Sequence, residues 1–311
     1  MPEGRVICVG DLNLDIIAFH DEMPKLGGES LASRAYVSSG GSAANVAHAL
    51  RLLGLSSELV SCVGMDIVGE FLVDELRKAG VGTRYIQKTE KESTGVVYVV
   101  VSRSGERTML AYRGANKHLT HASLPKDIAS ESALIHISGY CFLEEPQKST
   151  AEYVMGEADK HGIPKTLDLC IPLIRSGEQL DELLRSFDYV FMNEEEASEL
   201  LVRLGVTSVG EAALSIGSVF VLKRGSRGCS IVGKSGVIDV PTASIKPVDT
   251  TGSGDAFAAG FIYGIITSLS LERCATLANR LGGLAAATIG GRLKEPPRID
   301  DIVTQRRRRS R

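Results

Sequence analysis

The sequence predicts an α/β fold: a three-layer αβα sandwich with a mostly parallel central sheet, plus a small β-sheet lid. Three observations carry that expectation. Short apolar runs alternate with amphipathic helical patterns along most of the chain, the signature of parallel strands joined by crossover helices. The chain has 311 residues, 43% of them hydrophobic, enough to build one large α/β domain around a sizeable core. Two stretches, 29–39 and 94–112, break the alternation. Extra strands there would cover the carboxyl ends of the sheet, where α/β folds bind ligands, and such a layer is a natural lid.

The elements read off in order. "RVICVG" is an apolar strand, and "SAANVAHALRLLG" a helix with Val46, Leu50 and Leu53 on one face and Gly54 as its stop. "SSELVSCVG" is a strand, followed by the helix "DIVGEFLVDELRKAG" ending at Gly80. The alternation continues through "SALIHIS", "STAEYVMGEADKHG", "PKTLDLC", "QLDELLRSF", "YVFMN", "EEEASELLVRLG", "EAALSIG" and "SVFVLKRG". Residues 94–112 read as a hairpin with "SRSG" as its turn. The predicted domain spans 1–304, and 305–311 form a basic tail.

Composition excludes several classes. A net charge of −3 gives no general attraction to nucleic acid, and the arginine run at the end reads as a solvated tail. The six cysteines are scattered singly, without a CxxC pair. That usage implies reduced thiols in a reducing cytoplasm, not a zinc site or a disulfide frame. No apolar run is long enough to span a membrane, and the N-terminus lacks a secretory signal pattern.

The chemistry concentrates in "DTTGSGDAFAAGFIYG", residues 249–264. A helix N-terminus leaves backbone N–H groups without partners and is the positive end of the macrodipole. Gly252 and Gly254 let an anion approach the backbone closely, so Gly252, Ser253 and Gly254 form a candidate phosphate nest. Asp255, in the first helical turn beside that nest, is placed to hold a hydroxyl and accept its proton. A plain helix cap is the competing reading. "SSGGSAANVAHALRLLG" is a second glycine turn into a helix: Gly40 and Gly41 permit close approach, and Asn45 can grip a polyol hydroxyl. In "MNEEEASELL", Asn193 and Glu196 either order magnesium-bound water or simply cap a helix. "FVLKRGSRGCSIV" offers Gly225, Gly228 and Lys223 to a nucleotide, or is an ordinary turn. No P-loop and no dinucleotide fingerprint is present, which argues against a nicotinamide-dependent oxidoreductase.

Together these segments resemble the ribokinase-like carbohydrate kinase family, also called the PfkB family, over nearly the whole chain. "GGSAANVAHALRLLG" is similar to its N-terminal glycine signature, "NEEEAS" to its N-x-x-E motif, and "DTTGSGDAFAAGF" to its C-terminal signature. The resemblance implies ATP-dependent phosphorylation of a hydroxyl, usually the primary alcohol of a sugar or nucleoside. It implies Asp255 as base and the amides of Gly252 to Asp255 as anion hole. Asn193 and Glu196 would serve the Mg2+–phosphate region. Lys223, the Gly225–Gly228 turn and Asn279 would lie near ATP. Asp15, Gly40, Gly41 and Asn45 would hold acceptor hydroxyls, with Arg113 facing an acidic or polyhydroxy acceptor. Asp249 and Thr251, with the loop after "AAATIGG", match a region where many members bind a monovalent cation such as K+. The lid, in many members, also pairs two subunits into a homodimer. Two departures stand out: Ser42 replaces a lysine common in ribokinases, and Gly139 stands where they carry a ribose-binding glutamate. The expected function is a sugar or sugar-acid kinase, with a nucleoside kinase or an inactive binding relative as alternatives.

Overall fold

In the computed structural model, residues 4–299 are described, apart from 24–25, 104–106, 178, 244, 246, 289–291 and 296. The "SRSG" turn therefore lies partly, and the basic tail wholly, outside the described residues. The chain runs β1 (Arg5–Val9), β2 (Asn13–His20), β3 (Ala32–Gly40), α1 (Ser42–Leu52), β4 (Ser56–Gly64), α2 (Ile67–Lys78), β5 (Gly82–Thr89), β6 (Gly95–Val101) and β7 (Arg107–Tyr112). It continues with β8 (Ser132–Ser138), α3 (Gln147–Lys160), β9 (Lys165–Asp168), α4 (Ile171–Arg175), α5 (Leu180–Arg185), β10 (Tyr189–Asn193), α6 (Glu194–Leu204) and α7 (Val209–Ile216). The last third holds β11 (Val219–Lys223), β12 (Cys229–Gly233), β13 (Gly236–Val240), α8 (Ser253–Ile266) and α9 (Leu271–Ala286).

The main sheet has nine strands in the order β13-β12-β11-β10-β9-β8-β1-β4-β5. It is parallel except at one end, where β12 pairs antiparallel with both β11 and β13. Alternation along each strand divides the core. In β1, Val6 and Cys8 pack with α1, α2, α8 and α9, whereas Ile7 and Val9 pack with α3 to α7. Successive strand side chains point to opposite faces, so a continuous apolar run is what a sheet covered on both sides requires. The six cysteines, all free, are buried. The strand order reverses between β1 and β8, and the carboxyl ends of β1, β8, β9, β10 and β11 share one edge, where such sheets bind ligands.

A second sheet has the order β3-β2-β6-β7. The sequence reading assigned lid strands to 29–39 and 94–112 but did not recognise β2, whose residues "NLDIIAFH" mix polar and apolar types. β2 is central, pairing antiparallel with β3 and parallel with β6. Its register places Asp15 opposite Ser38 and Val97, and Ile17 opposite Tyr36 and Val99. One face thus buries Ile17, Val99 and Val101 and carries Asp15 with it.

Candidate active site

The first turns of α1 and α8 meet at Asp255. The chain enters α8 through Gly252, whose φ of 66° is left-handed and open to glycine at little cost. It enters α1 through Gly41, at φ 96°. A side chain at Gly41 would put Cβ 2.1 Å from the Asp11 carbonyl oxygen, and one at Gly40 would collide with the Asp15 carboxylate. These glycines therefore admit the protein's own groups: they let β3 turn into α1 against Asp11 and Asp15. Ser42 and Asn45 lie three residues apart on one helix face, and both hold Asp255. Ser42 Oγ donates to Oδ1 at 2.9 Å and Asn45 Nδ2 to Oδ2 at 2.8 Å. Asn45 is engaged at its other end too, since Arg292 Nε donates to its Oδ1 at 2.8 Å. It is a positioning group for Asp255 here, a different first task from the expected grip on a hydroxyl.

The anion nest is narrower than the sequence suggested. The Ser253 N–H is spent on the Thr250 carbonyl at 3.2 Å, which corrects its assignment as a free donor. The N–H groups of Gly254 and Asp255 make no turn or side-chain capping bond among the described residues. They remain at the positive end of the α8 dipole. Beside them Lys223, at the end of β11, donates to Asp168 Oδ1 at 2.8 Å. Gly254 makes room for this lysine, because a Cβ there would sit 3.3 Å from its Nζ. Burial opposes the charge on Lys223, but Asp168 and Glu196 hold its pKa above the usual lysine value.

Burial raises the Asp255 pKa to about 6, with Asp168 adding to the rise and Asn45, Ser42 and Lys223 opposing it. Asp15 is pushed to about 7, mainly by burial and further by Asp255 and Asp249, with Arg292 pulling it down. Its Oδ1 is buried without a hydrogen-bond partner among the described residues. Leaving such an acceptor unmet normally costs about 1–3 kcal/mol, so Asp15 is ready to receive a donor. Glu196 rises to about 7 through burial and Asp168, against the pull of Lys223. It completes a capping box with Asn193: the Asn193 N–H donates to Glu196 Oε2 at 2.7 Å and the Glu196 N–H to Asn193 Oδ1 at 2.8 Å. The cap reading of this motif is therefore realised. The pair also fits a hydrated Mg2+, which needs few carboxylates beyond its waters and substrate phosphates.

Next to the α8 N-terminus lies a cavity of about 220 Å3, lined by Gly225, Gly228, Ile245, Phe257, Asn279 and Gly283 and reaching Lys223 and Gly254. Gly228, at φ 86°, allows the turn to approach the Val240 carbonyl, which a Cβ would meet at 2.1 Å. Asn279 ties the same region together by donating to the Val240 carbonyl at 3.0 Å. Asp249 Oδ1 accepts the Thr251 N–H at 2.9 Å. Arg107 from β7 donates to Thr251 Oγ1 at 2.9 Å and lies 4.0 Å from Asp249. Asp249 and Thr251 thus already face a cation of the protein itself.

Arg113 is placed differently from its expectation. It clamps Asp11 through Nε and Nη2 at 3.1 and 3.0 Å, and also bonds Glu144 at 3.3 Å and Gln147. A guanidinium so committed braces the loop after β1, and an acidic acceptor would have to displace Asp11. Gly139 follows β8, where a Cβ would meet the Asp168 carbonyl at 2.9 Å, so this backbone leaves no room for a glutamate. Sequence reading missed Asp168, Asp11 and Arg292. β9, "KTLD", has a single apolar residue, and its pattern gave no signal for Asp168. Nothing local marked Arg292.

An αβα sandwich with a helix N-terminus, a held carboxylate and a lysine at the carboxyl edge of its sheet has the parts that phosphoryl transfer requires. The model of the pfkB family carbohydrate kinases matches residues 3–298, and the chain belongs to that family. It is a sugar kinase, an ATP-dependent phosphotransferase. A sugar kinase of Pyrococcus horikoshii is 30% identical over 96% of this chain and 95% of its own. An ATP-dependent ribose-1-phosphate kinase of Halopiger xanaduensis is 32% identical over 93% and 94%. Among solved structures, the adenosine kinase of Sinorhizobium meliloti superposes with a TM-score of 0.84 at 24% identity, covering 98% of each chain. A Pyrococcus horikoshii sugar kinase in complex with ATP superposes at 0.78 and 30% identity, over 92% of this chain and 93% of that one.

Proposed function

We propose that the enzyme transfers the γ-phosphoryl group of ATP to a primary hydroxyl of a sugar or sugar derivative bound beneath the small sheet. The observation that carries this reading is the double grip of Ser42 and Asn45 on Asp255, next to unpaired N–H groups of α8. A cap alone does not explain the grip, because the Asp255 carboxylate accepts from Ser42 and Asn45 of another helix.

Asp255 accepts the hydroxyl proton as the acceptor oxygen bonds to the γ-phosphorus and the bond to the β-phosphate oxygen breaks, releasing ADP. A pKa of about 6 leaves it ionised near neutral pH yet basic enough to take a proton. The N–H groups of Gly254 and Asp255, with Lys223, offset the charge spread over the moving phosphoryl group. Asp15 receives a second acceptor hydroxyl. The Gly225–Gly228 turn and Asn279 line the nucleotide's cavity. Asn193 and Glu196 would hold Mg2+ through water, and that ion would neutralise the ATP phosphates. A potassium ion at Asp249 would share that carboxylate with Arg107. Two copies of the chain pair through the outer face of the small sheet.

ADP release, measured across pentoses, hexoses, sugar acids, sugar phosphates and nucleosides, tests the substrate class. Turnover with at least one sugar or sugar derivative is expected. Turnover with nucleosides alone, or with nothing, would contradict the proposal.

A further inference from the structure

The carboxamide of Asn45 has one orientation that satisfies both of its neighbours. Arg292 Nε lies 2.8 Å from its Oδ1, and Asp255 Oδ2 lies 2.8 Å from its Nδ2. A guanidinium donates and never accepts, whereas an ionised carboxylate accepts and never donates. Turning the amide over would set N–H against N–H at one end and oxygen against oxygen at the other. Arg292 therefore decides which end of Asn45 faces Asp255. The three groups come from α1, from the first turn of α8 and from the segment after α9. The arrangement is thus made by the tertiary fold, not by one helix.

Arg292 also stands among acids. Burial draws its pKa down to about 10, against the pull of Glu75, Asp15 and Asp255, so it stays charged at neutral pH. The charged groups that face Asp255 are Asp168 from β9, Lys223 from β11, Asp15 from β2 and Arg292. Lys223 is bound to Asp168 at 2.8 Å, which leaves Arg292 to counter Asp15 and Asp255. His48, one turn beyond Asn45 on α1, is held at about 4 by burial and by Arg292. It is neutral and adds no charge there.

We infer that Arg292 is a positioning residue for phosphoryl transfer: it locks the Asn45 amide with Nδ2 towards Asp255, and so keeps that carboxylate ionised and aimed. It acts on Asp255 through Asn45. The consequence for turnover rests on Asp255 being the base, while the locking of Asn45 and its effect on the carboxylate do not.

The test follows the Asp255 carboxylate by carbon NMR titration, its signal assigned with Asp255→Asn, beside the pH profile of kcat/KM. Arg292→Met has neither donor nor charge, and should raise the Asp255 midpoint by about one pH unit. A carboxylate falls by about two units on gaining two or three donors, so losing one should return roughly that share. The acid limb of kcat/KM should move up with it. Arg292→Lys, which still only donates, should restore most of the shift. Arg292→Gln, whose amide both donates and accepts, should restore less. An unchanged midpoint in folded Arg292→Met, or a lysine no better than the glutamine, overturns the inference. A midpoint that moves while the kcat/KM limb stays put upholds the lock and removes Asp255 as the base instead. Should Arg292→Met fail to fold, Asn45→Leu must raise the midpoint by itself, and adding Arg292→Gln must then raise it by less than Arg292→Gln does alone. Fully additive rises would show Arg292 acting independently of Asn45, and would overturn the inference as well.

Discussion

At the scale of single residues, the site is a set of acids held in a setting that disfavours their charge. Asp15 binds its proton more tightly when folded, at about 7, than an unfolded aspartate at about 4. Its contribution to stability is therefore full below about pH 4 and lost as pH rises through about 7. Asp15→Asn should be more stable than wild type at about pH 8, by on the order of 1–3 kcal/mol, with the gap closing towards about pH 4. Urea unfolding at both pH values checks this, and a variant less stable at the higher pH would contradict it. For Asp255 the consequence is kinetic: kcat/KM should fall as pH drops through about 6, where the base takes up a proton. A pH–rate profile flat across that range would remove Asp255 as the titrating base. The glycine-rich segments were legible in the sequence because positive φ and close approach leave local signatures. Arg292, Asp168 and the partner of Asn45 were not, because a contact across more than fifty residues leaves no local pattern.

At the scale of elements, α8 carries both Asp255 and the free N–H groups, so its seating decides the geometry. It lies close against α9: a Cβ on Gly260 would come 2.9 Å from Ala278 Cα, and one on Gly264 would come 2.9 Å from Cys274 Cα. Gly260→Val should therefore destabilise the protein by about 1–3 kcal/mol through overpacking, outweighing a helix-propensity gain of a few tenths. Denaturant melts would show the lower midpoint; an unchanged midpoint would mean that the two helices separate easily. The helix itself was expected after "DTTGSGD", and the sequence did not disclose its partner. β2 went unread for a related reason: with Asp15 on its buried face, it shows no clean alternation, since an acid occupies a position that packing alone would give to an apolar residue.

At the scale of the whole molecule, the small sheet presents two unlike faces. Asp15, Ile17 and Val99 look inward, while Val37, Ile16, Tyr98 and Leu110 stand side by side on the outer face by register. Val37, Tyr98 and Leu110 are exposed, and a contiguous apolar row of that kind marks a contact surface. Sedimentation should find a dimer that Tyr98→Glu converts to monomer without unfolding it; a wild-type monomer at all accessible concentrations would contradict this. The alternation of strands and helices predicted the main sheet well, since a sheet buried on both faces writes its period directly into the chain. The small sheet was only partly foreseen, because its strands come from separate parts of the sequence and its pairing is non-local.

The central claim is that Asp255, held by Ser42 and Asn45 at the mouth of α8, takes the acceptor's proton. Single-turnover phosphoryl transfer in Asp255→Asn, measured with its nucleotide affinity, tests it most directly. The account predicts a rate lower by roughly 10²–10⁴ in a folded protein that still binds ATP. A rate within a few-fold of wild type would contradict it.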